Sequence, residues 1–175
     1  HKVLVVTDAA INIAPALEDK ADICQNAIDL CISLGPEEPK VAVLAAVETV
    51  TTKMPATIDA AALCKMAERG QIKGGRLEGP LAFDNAISRE AAEIKGIASE
   101  VAGDPDILLA PDLEAGNILA KQLSFLAGAD SAGLVLGARV PVILTSRADS
   151  VRSRIASCAV AALVSHARRT NPGGH

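Results

Sequence analysis

Two short segments of the chain gather residues able to do chemistry. In "LTSRADS", residues 144–150, Ser146 and Arg147 set a hydroxyl beside a planar cation at the end of an apolar run, with Thr145, Asp149 and Ser150 around them. In "PDLEAGN", residues 111–117, the carboxylates Asp112 and Glu114 and the amide Asn117 follow a second apolar run. Each segment reads as the junction of a buried strand with a helix. Free backbone N–H groups at a helix start, two hydroxyls and a guanidinium together suit a phosphate. The competing reading is local. Asp112, Asp149 and Ser150 would then be helix caps worth about 0.5–2 kcal/mol each, beside an exposed arginine.

Such junctions need a sheet to carry them. Runs rich in Val, Ile and Leu alternate with longer segments of helical period, the pattern of an α/β fold with a mostly parallel, mixed sheet covered by helices. Strands are expected at 2–6, 41–47, 75–78, 106–110, 132–136 and 140–145, and helices at 18–34, 56–69, 81–95, 113–127 and 149–168. Gly35-Pro36 closes the first helix with a flexible cap and a breaker, and Gly70 stops the second. The runs at 132–136 and 140–145 lie too close for a crossover helix, which makes the first antiparallel to its successor and the sheet mixed. The stretch "GQIKGGRLEG", residues 70–79, matches neither phosphate-loop pattern and is a glycine-rich connection.

In open α/β sheets the loops leaving the carboxyl ends of strands line a crevice. Those loops here would bring Thr7, Asp8 and Asn12, then Glu48, Thr49, Thr51 and Thr52, then Phe83, Asp84 and Asn85, to the same rim as the two opening segments. Asn12, Asn85 and Asn117 could equally be turn residues. His166 falls on a stripe with Val151, Ile155, Ala159, Ala162 and Leu163 that is expected to face inward, which makes it a core histidine and not a base.

Composition narrows the classes. Half of the 175 residues are apolar, enough for one sizeable core. Seventeen basic against 21 acidic residues, two Phe and no Tyr or Trp argue against nucleic acid as a partner. No apolar stretch approaches the roughly 20 residues of a membrane span, so a cytoplasmic location is expected. The cysteines at 24, 31, 64 and 158 lack C-x-x-C spacing and read as reduced core residues. His1 stands directly before a strand, as in an excised segment or tag remnant, and "RTNPGGH", residues 169–175, reads as a frayed tail.

The strings "AVETV" (46–50), "MPATIDAAALCKMAERGQIKGG" (54–75), "EGPLAFDNAIS" (78–88), "ASCAVAALVSHARR" (156–169) and above all the 101–150 stretch holding "PDLEAGN" and "LTSRADS" resemble the phosphate acetyl/butyryltransferase family. The similarity runs over nearly the whole chain and extends to the transferase half of bifunctional enoyl-CoA hydratase/phosphate acetyltransferases. It implies a fold like isocitrate and isopropylmalate dehydrogenases, with two α/β domains around a cleft. Residues 1–148 would be the second domain, 149–168 the helix that returns to the first, and 169–175 a flexible tail.

The resemblance also implies a reaction, acyl-CoA plus phosphate giving acyl phosphate plus CoA, with acetyl or butyryl as the acyl group. It would proceed by direct transfer, without a covalent enzyme intermediate, a tightly bound cofactor or a metal. Ser146 and Arg147 match the family's Ser-Arg pair, Arg147 neutralising phosphate and Ser146 donating to phosphate or the carbonyl oxygen. Thr145, Asp149, Ser150, Asn117 and Asp84 are assigned to substrate binding, and Asp112 and Glu114 to fixing their loop and Asn117 or to orienting Arg147. Acetyltransferases of the family carry an aspartate, proposed as the base, where this chain has Ser153, and Asp149 is the nearby substitute. Without the first domain the segment would be inactive. A homodimer is implied too, through an aliphatic face with Ile118, Leu119, Leu123 and Leu126. Two other classes stand beside this reading: a metal-dependent decarboxylating dehydrogenase using the carboxylates at 8, 84, 112 and 114, and a non-catalytic dimerisation domain.

Overall fold

The computed structural model describes residues 2–170, so the expectations for His1 and for 171–175 lie outside the described residues. The elements run β1 (Val5–Thr7), α1 (Leu17–Leu34), β2 (Lys40–Leu44), α2 (Pro55–Glu68), β3 (Arg76–Leu81), α3 (Phe83–Ile87), α4 (Arg89–Ile94), β4 (Ile107–Leu109), α5 (Leu113–Phe125), β5 (Leu134–Val135), β6 (Val142–Ile143) and α6 (Val151–Thr170). The first four strands form one parallel sheet in the order β1-β4-β2-β3.

Alternation along β2 and β4 builds two cores. Val41, Val43, Ile107 and Leu109 face α1 and α2, packing on Cys24, Ala27, Ile28, Cys31, Ala60 and Leu63. Ala42, Leu44 and Leu108 point the other way, onto Leu81, Ala86, Ala92, Val101 and Leu119. Strands buried on both faces explain the unbroken apolar runs. Because β1 and β2 feed the first helical layer and β3 and β4 the second, connections from neighbouring strands part in opposite directions along the whole carboxyl edge. Crevices open where they part.

Five differences from the sequence expectation have physical causes. The expected helix 81–95 is two helices, because Ser88 is extended (φ −118°, ψ 115°) and its hydroxyl accepts from Ala91 N–H, ending α3 and capping α4 at once. The expected mixed sheet is wholly parallel among the described residues. The antiparallel pair, Leu134 with Ile143 and Val135 with Val142, stands apart as a two-stranded ribbon. The run 140–144 is not buried, since Val140 is 65% exposed and both residues of β6 are exposed; an apolar run alone does not reveal its depth. The stripe on α6 faces outward, with Val151 74% and Ile155 63% exposed, and His166 is exposed with it; the helix buries Ser157 and Val164 instead. Residues 169 and 170, expected to lie beyond the last helix, are part of α6.

Cys24 and Cys31 are buried and Cys64 half-buried, whereas Cys158, expected in the core, is exposed. No helix among the described residues is long and apolar enough to cross a membrane.

Candidate functional site

At the carboxyl end of β1, Asp8 is consumed by its own loop. Its Oδ1 accepts from Ala10 N–H at 2.8 Å and Ile11 N–H at 3.0 Å, and its Oδ2 from the backbone and side-chain N–H groups of Asn12, both at 2.7 Å. Burial pushes this carboxyl up, but the backbone N–H groups and the Asn12 amide outweigh it, and the net shift is below the usual carboxylate range. Across the parting between β1 and β4, Asn117 Nδ2 donates to Ala9 O at 2.9 Å. Gly116 makes that approach possible, because a Cβ there would collide with the Asp8 carbonyl.

Asp112 is the N-cap of α5, its Oδ1 accepting from Ala115 N–H at 2.8 Å. Glu114 is exposed in the first turn of the same helix, where its charge favours the macrodipole. Neither carboxylate bonds Arg147 among the described residues. The capping alternative therefore accounts for Asp112, and the expected orientation of Arg147 by these acids is absent: β6 is not a strand of the main sheet, so their rim and the 145–150 segment are separate pieces of chain.

On the far side of the sheet edge, the loop after β2 is tied to α3 and α4. The Asn85 amide donates to Glu48 Oε1, which also accepts from Lys95 Nζ at 2.8 Å, and Lys95 reaches Asp84 Oδ2 at 3.0 Å. Lys95 holds the carboxyls of Glu48 and Asp84 below their ordinary values, and they in turn raise its own. Asp84, expected to bind substrate, is thus engaged by a lysine that the sequence did not single out. Further along the same loop, Thr51 N–H donates to the hydroxyl of buried Thr57 at 2.9 Å. Between α1 and α2, Lys20 and Asp59 make an ion pair at 2.6 Å, with Lys20 only 7% exposed. Nothing in the local sequence signals the ties of Glu48 to Asn85 and Lys95 or of Lys20 to Asp59.

The segment after β6 folds as a tight turn. Ser146 N–H donates to Asp149 Oδ2 at 2.6 Å while Asp149 N–H returns to Ser146 O at 3.1 Å, and Ser146 Oγ accepts from Ala148 N–H at 3.4 Å. Ser150 directly precedes α6, its hydroxyl accepting from Ser153 N–H and meeting Ser153 Oγ, both at 3.1 Å. Thr145, Ser146, Arg147 and Ser150 are exposed, and Arg147 makes no ion pair among the described residues. An unneutralised guanidinium thus stands beside the start of a 20-residue helix, whose first N–H groups lack intrahelical partners. The ribbon carrying this turn lies against the loop after β1, where Thr7, Asp8, Ile11 and Asn12 meet Leu134, Val135 and Leu136 around a cavity of about 90 Å³.

The carboxylates at 8, 84, 112 and 114 are not brought together, and no cluster of three or more His, Cys, Asp or Glu side chains suited to a metal occurs among the described residues. Three of the four are already spent on a loop, a lysine and a helix cap.

Comparison with known proteins gives a consistent result. Residues 1–162 match the family model described as phosphate acetyl/butaryl transferase. A phosphate acetyltransferase of Rhizobium meliloti is 72% identical over 166 residues, 95% of this chain and 52% of that protein. A probable phosphate butyryltransferase of Bacillus subtilis (strain 168) is 52% identical over 160 residues, 91% of this chain and 54% of that protein. Among solved structures, a branched-chain phosphotransacylase from Enterococcus faecalis V583 superposes with a TM-score of 0.82 at 36% identity, over 91% of this chain and 57% of that one. The chain spans about half the length of the relatives it matches.

Proposed function

Since the chain belongs to the phosphate acetyl/butaryl transferase family, we propose that it is the C-terminal part of an enzyme that moves an acetyl or butyryl group between CoA and inorganic phosphate. A phosphate oxygen adds to the thioester carbonyl carbon to give a tetrahedral oxyanion, which collapses with breaking of the C–S bond, and the proton carried by the phosphate ends on the CoA sulfur. No covalent enzyme intermediate, metal or resident cofactor is part of this reaction; acyl-CoA, phosphate and acyl phosphate are its ligands. The chemistry asks for an anion cradle and for donors aimed at the tetrahedral oxygen.

The observation that supports this reading is the turn at 145–150. Arg147 is exposed and unpaired beside the N-terminus of α6, and the mutual Ser146–Asp149 hydrogen bonds hold the Ser146 backbone in place. In this reading Arg147 neutralises phosphate, Ser146 donates to phosphate or the carbonyl oxygen, and Thr145 and Ser150 complete the cradle. Asp149, facing the same turn, takes or relays the proton of the CoA thiol in the reverse direction. Asn117 and Asp84 face substrate from the sheet edge, while Asp112 and Glu114 fix the first turn of α5 and with it Asn117.

The outward apolar face of α6, with Val151, Ile155 and Leu163 exposed, suits docking on a first domain. Exposed Ile118 and Leu126 on and just after α5 suit a homodimer contact. Residues 2–170 then supply half of an active site and have no activity alone. The test is acyl phosphate formation from acetyl-CoA or butyryl-CoA and phosphate by the full-length protein, with Arg147→Ala lowering kcat/KM by about 100-fold or more. An unchanged rate in that variant would show the site to be elsewhere. Turnover by the isolated chain at the full rate would remove the need for a partner domain.

A further inference from the structure

The amide of Asn85 is fully buried, yet only half of it is used. Its Nδ2 donates to Glu48 Oε1, while Oδ1 is the buried side-chain oxygen that finds no hydrogen-bond partner among the described residues. The orientation is dictated by chemistry: the Glu48 carboxylate only accepts, so only the NH2 end can face it. An orphaned buried acceptor costs free energy that an apolar residue in the same place would avoid. What the fold obtains in return is the position of Glu48.

Glu48 is worth holding because of where its loop lies. The loop after β2 leads into the α2 layer, whereas Asn85 and Lys95 belong to the α3–α4 layer on the other side of the sheet. The contact therefore spans the parting between β2 and β3. Asn117 with Ala9 spans the parting between β1 and β4 in the same way. Between them, at β2 and β4 in the middle of the sheet, no side-chain hydrogen bond among the described residues joins the loop after β2 to the loop after β4. Two such ties thus flank the middle of the carboxyl edge, where α/β folds form their ligand-binding crevice. Lys95 reinforces the first tie by gripping both Glu48 and Asp84 from the exposed side.

We infer that Asn85 is a positioning residue of the acyl-transfer site: through Glu48 it holds the loop after β2 as one wall of the crevice that takes the acyl-CoA. This inference rests on the acyltransferase reading given above. Asn85 itself touches no reacting atom, so its loss should weaken substrate binding more than the chemical step.

The experiment uses the full-length protein and exchanges the two ends of the hydrogen bond. Asn85→Asp sets carboxylate against carboxylate and is expected to raise KM for acyl-CoA about tenfold with kcat nearly unchanged. Adding Glu48→Gln restores a donor–acceptor pair of opposite polarity and should return KM to within about threefold of the parent. If Asn85→Asp does not fold, Glu48→Ala on the half-exposed loop takes its place, with a raised KM again expected. An unchanged KM in the single variant, or no rescue in the double variant, overturns the inference while leaving the acyltransferase reading intact. Absence of acyl transfer in the parent protein is the separate outcome that removes that reading, and this inference with it.

Discussion

Gly116 stands with its bare Cα against the backbone carbonyl of Asp8, closer than any side chain would allow. This approach seats the first turn of α5 on the loop after β1 and lets Asn117, one residue on, reach Ala9 O. Gly116→Ala is therefore expected to destabilise by about 1–3 kcal/mol through overpacking against backbone, a fall in Tm of several degrees by circular dichroism. An alanine variant that melts with the parent would mean that the two segments are not so close.

At the opposite edge of the sheet, Asp104 takes Lys2 Nζ at 2.7 Å and Lys40 Nζ at 2.8 Å, tying the approaches to β1, β2 and β4. The two lysines, Lys2 first, hold its carboxyl down to about 2 from an ordinary 3.8. A depressed carboxyl stabilises the fold above its unfolded value and loses that contribution as pH falls through the folded one. Urea midpoints should therefore drop between about pH 4 and pH 2, and Asp104→Asn should flatten that part of the curve. The side chain is half exposed, so the effect is expected to be small. Equal slopes for variant and parent would remove Asp104 as a source.

Acyl transfer by the full-length protein should survive a metal chelator unchanged. Asp8, Asp84 and Asp112 already serve a loop, a lysine and a helix cap, and among the described residues no set of oxygen ligands converges on one point. Loss of activity on chelation, restored by a divalent cation, would revive the metal-dependent alternative.

Alkylation should distinguish the cysteines. Burial pushes the thiols of Cys24 and Cys64 up to about 12 and that of Cys31 up to about 11, so none of the three offers thiolate at neutral pH. In the native chain iodoacetamide is expected to modify Cys158 alone, and in denaturant all four. A second rapid adduct under native conditions, located by mass spectrometry, would contradict the packing of α1 (Cys24 or Cys31) or α2 (Cys64) on the sheet.

Local features were legible in advance. Gly35 and Pro36 end α1, Gly70 follows the end of α2, and Asp112 caps α5 within three residues of itself. The antiparallel relation of Leu134 to Ile143 followed from a connection too short to cross over. Depth was not legible. Val140–Leu144 and the Val151–Leu163 stripe are as apolar as the strands of the core, yet they lie exposed, because periodicity reports a face and not what covers it. The site divides along the same line. Ser146, Asp149 and Ser150 bond within their own turn, as closely spaced residues can, while Arg147 has no partner among the described residues to reveal its use.

From the sequence alone come the α/β class, four of the six helices among the described residues, the turn chemistry and the family, because these depend on residue types within a few positions of one another. Tertiary structure alone decided which polar groups are spent and which are free. It paired Asn85 with Glu48 across 37 positions, Asn117 with Ala9 across 108, and Lys20 with Asp59 across 39. Partners so far apart in the chain meet only when the two helical layers close over the sheet, and no local pattern encodes which donor will then face which acceptor.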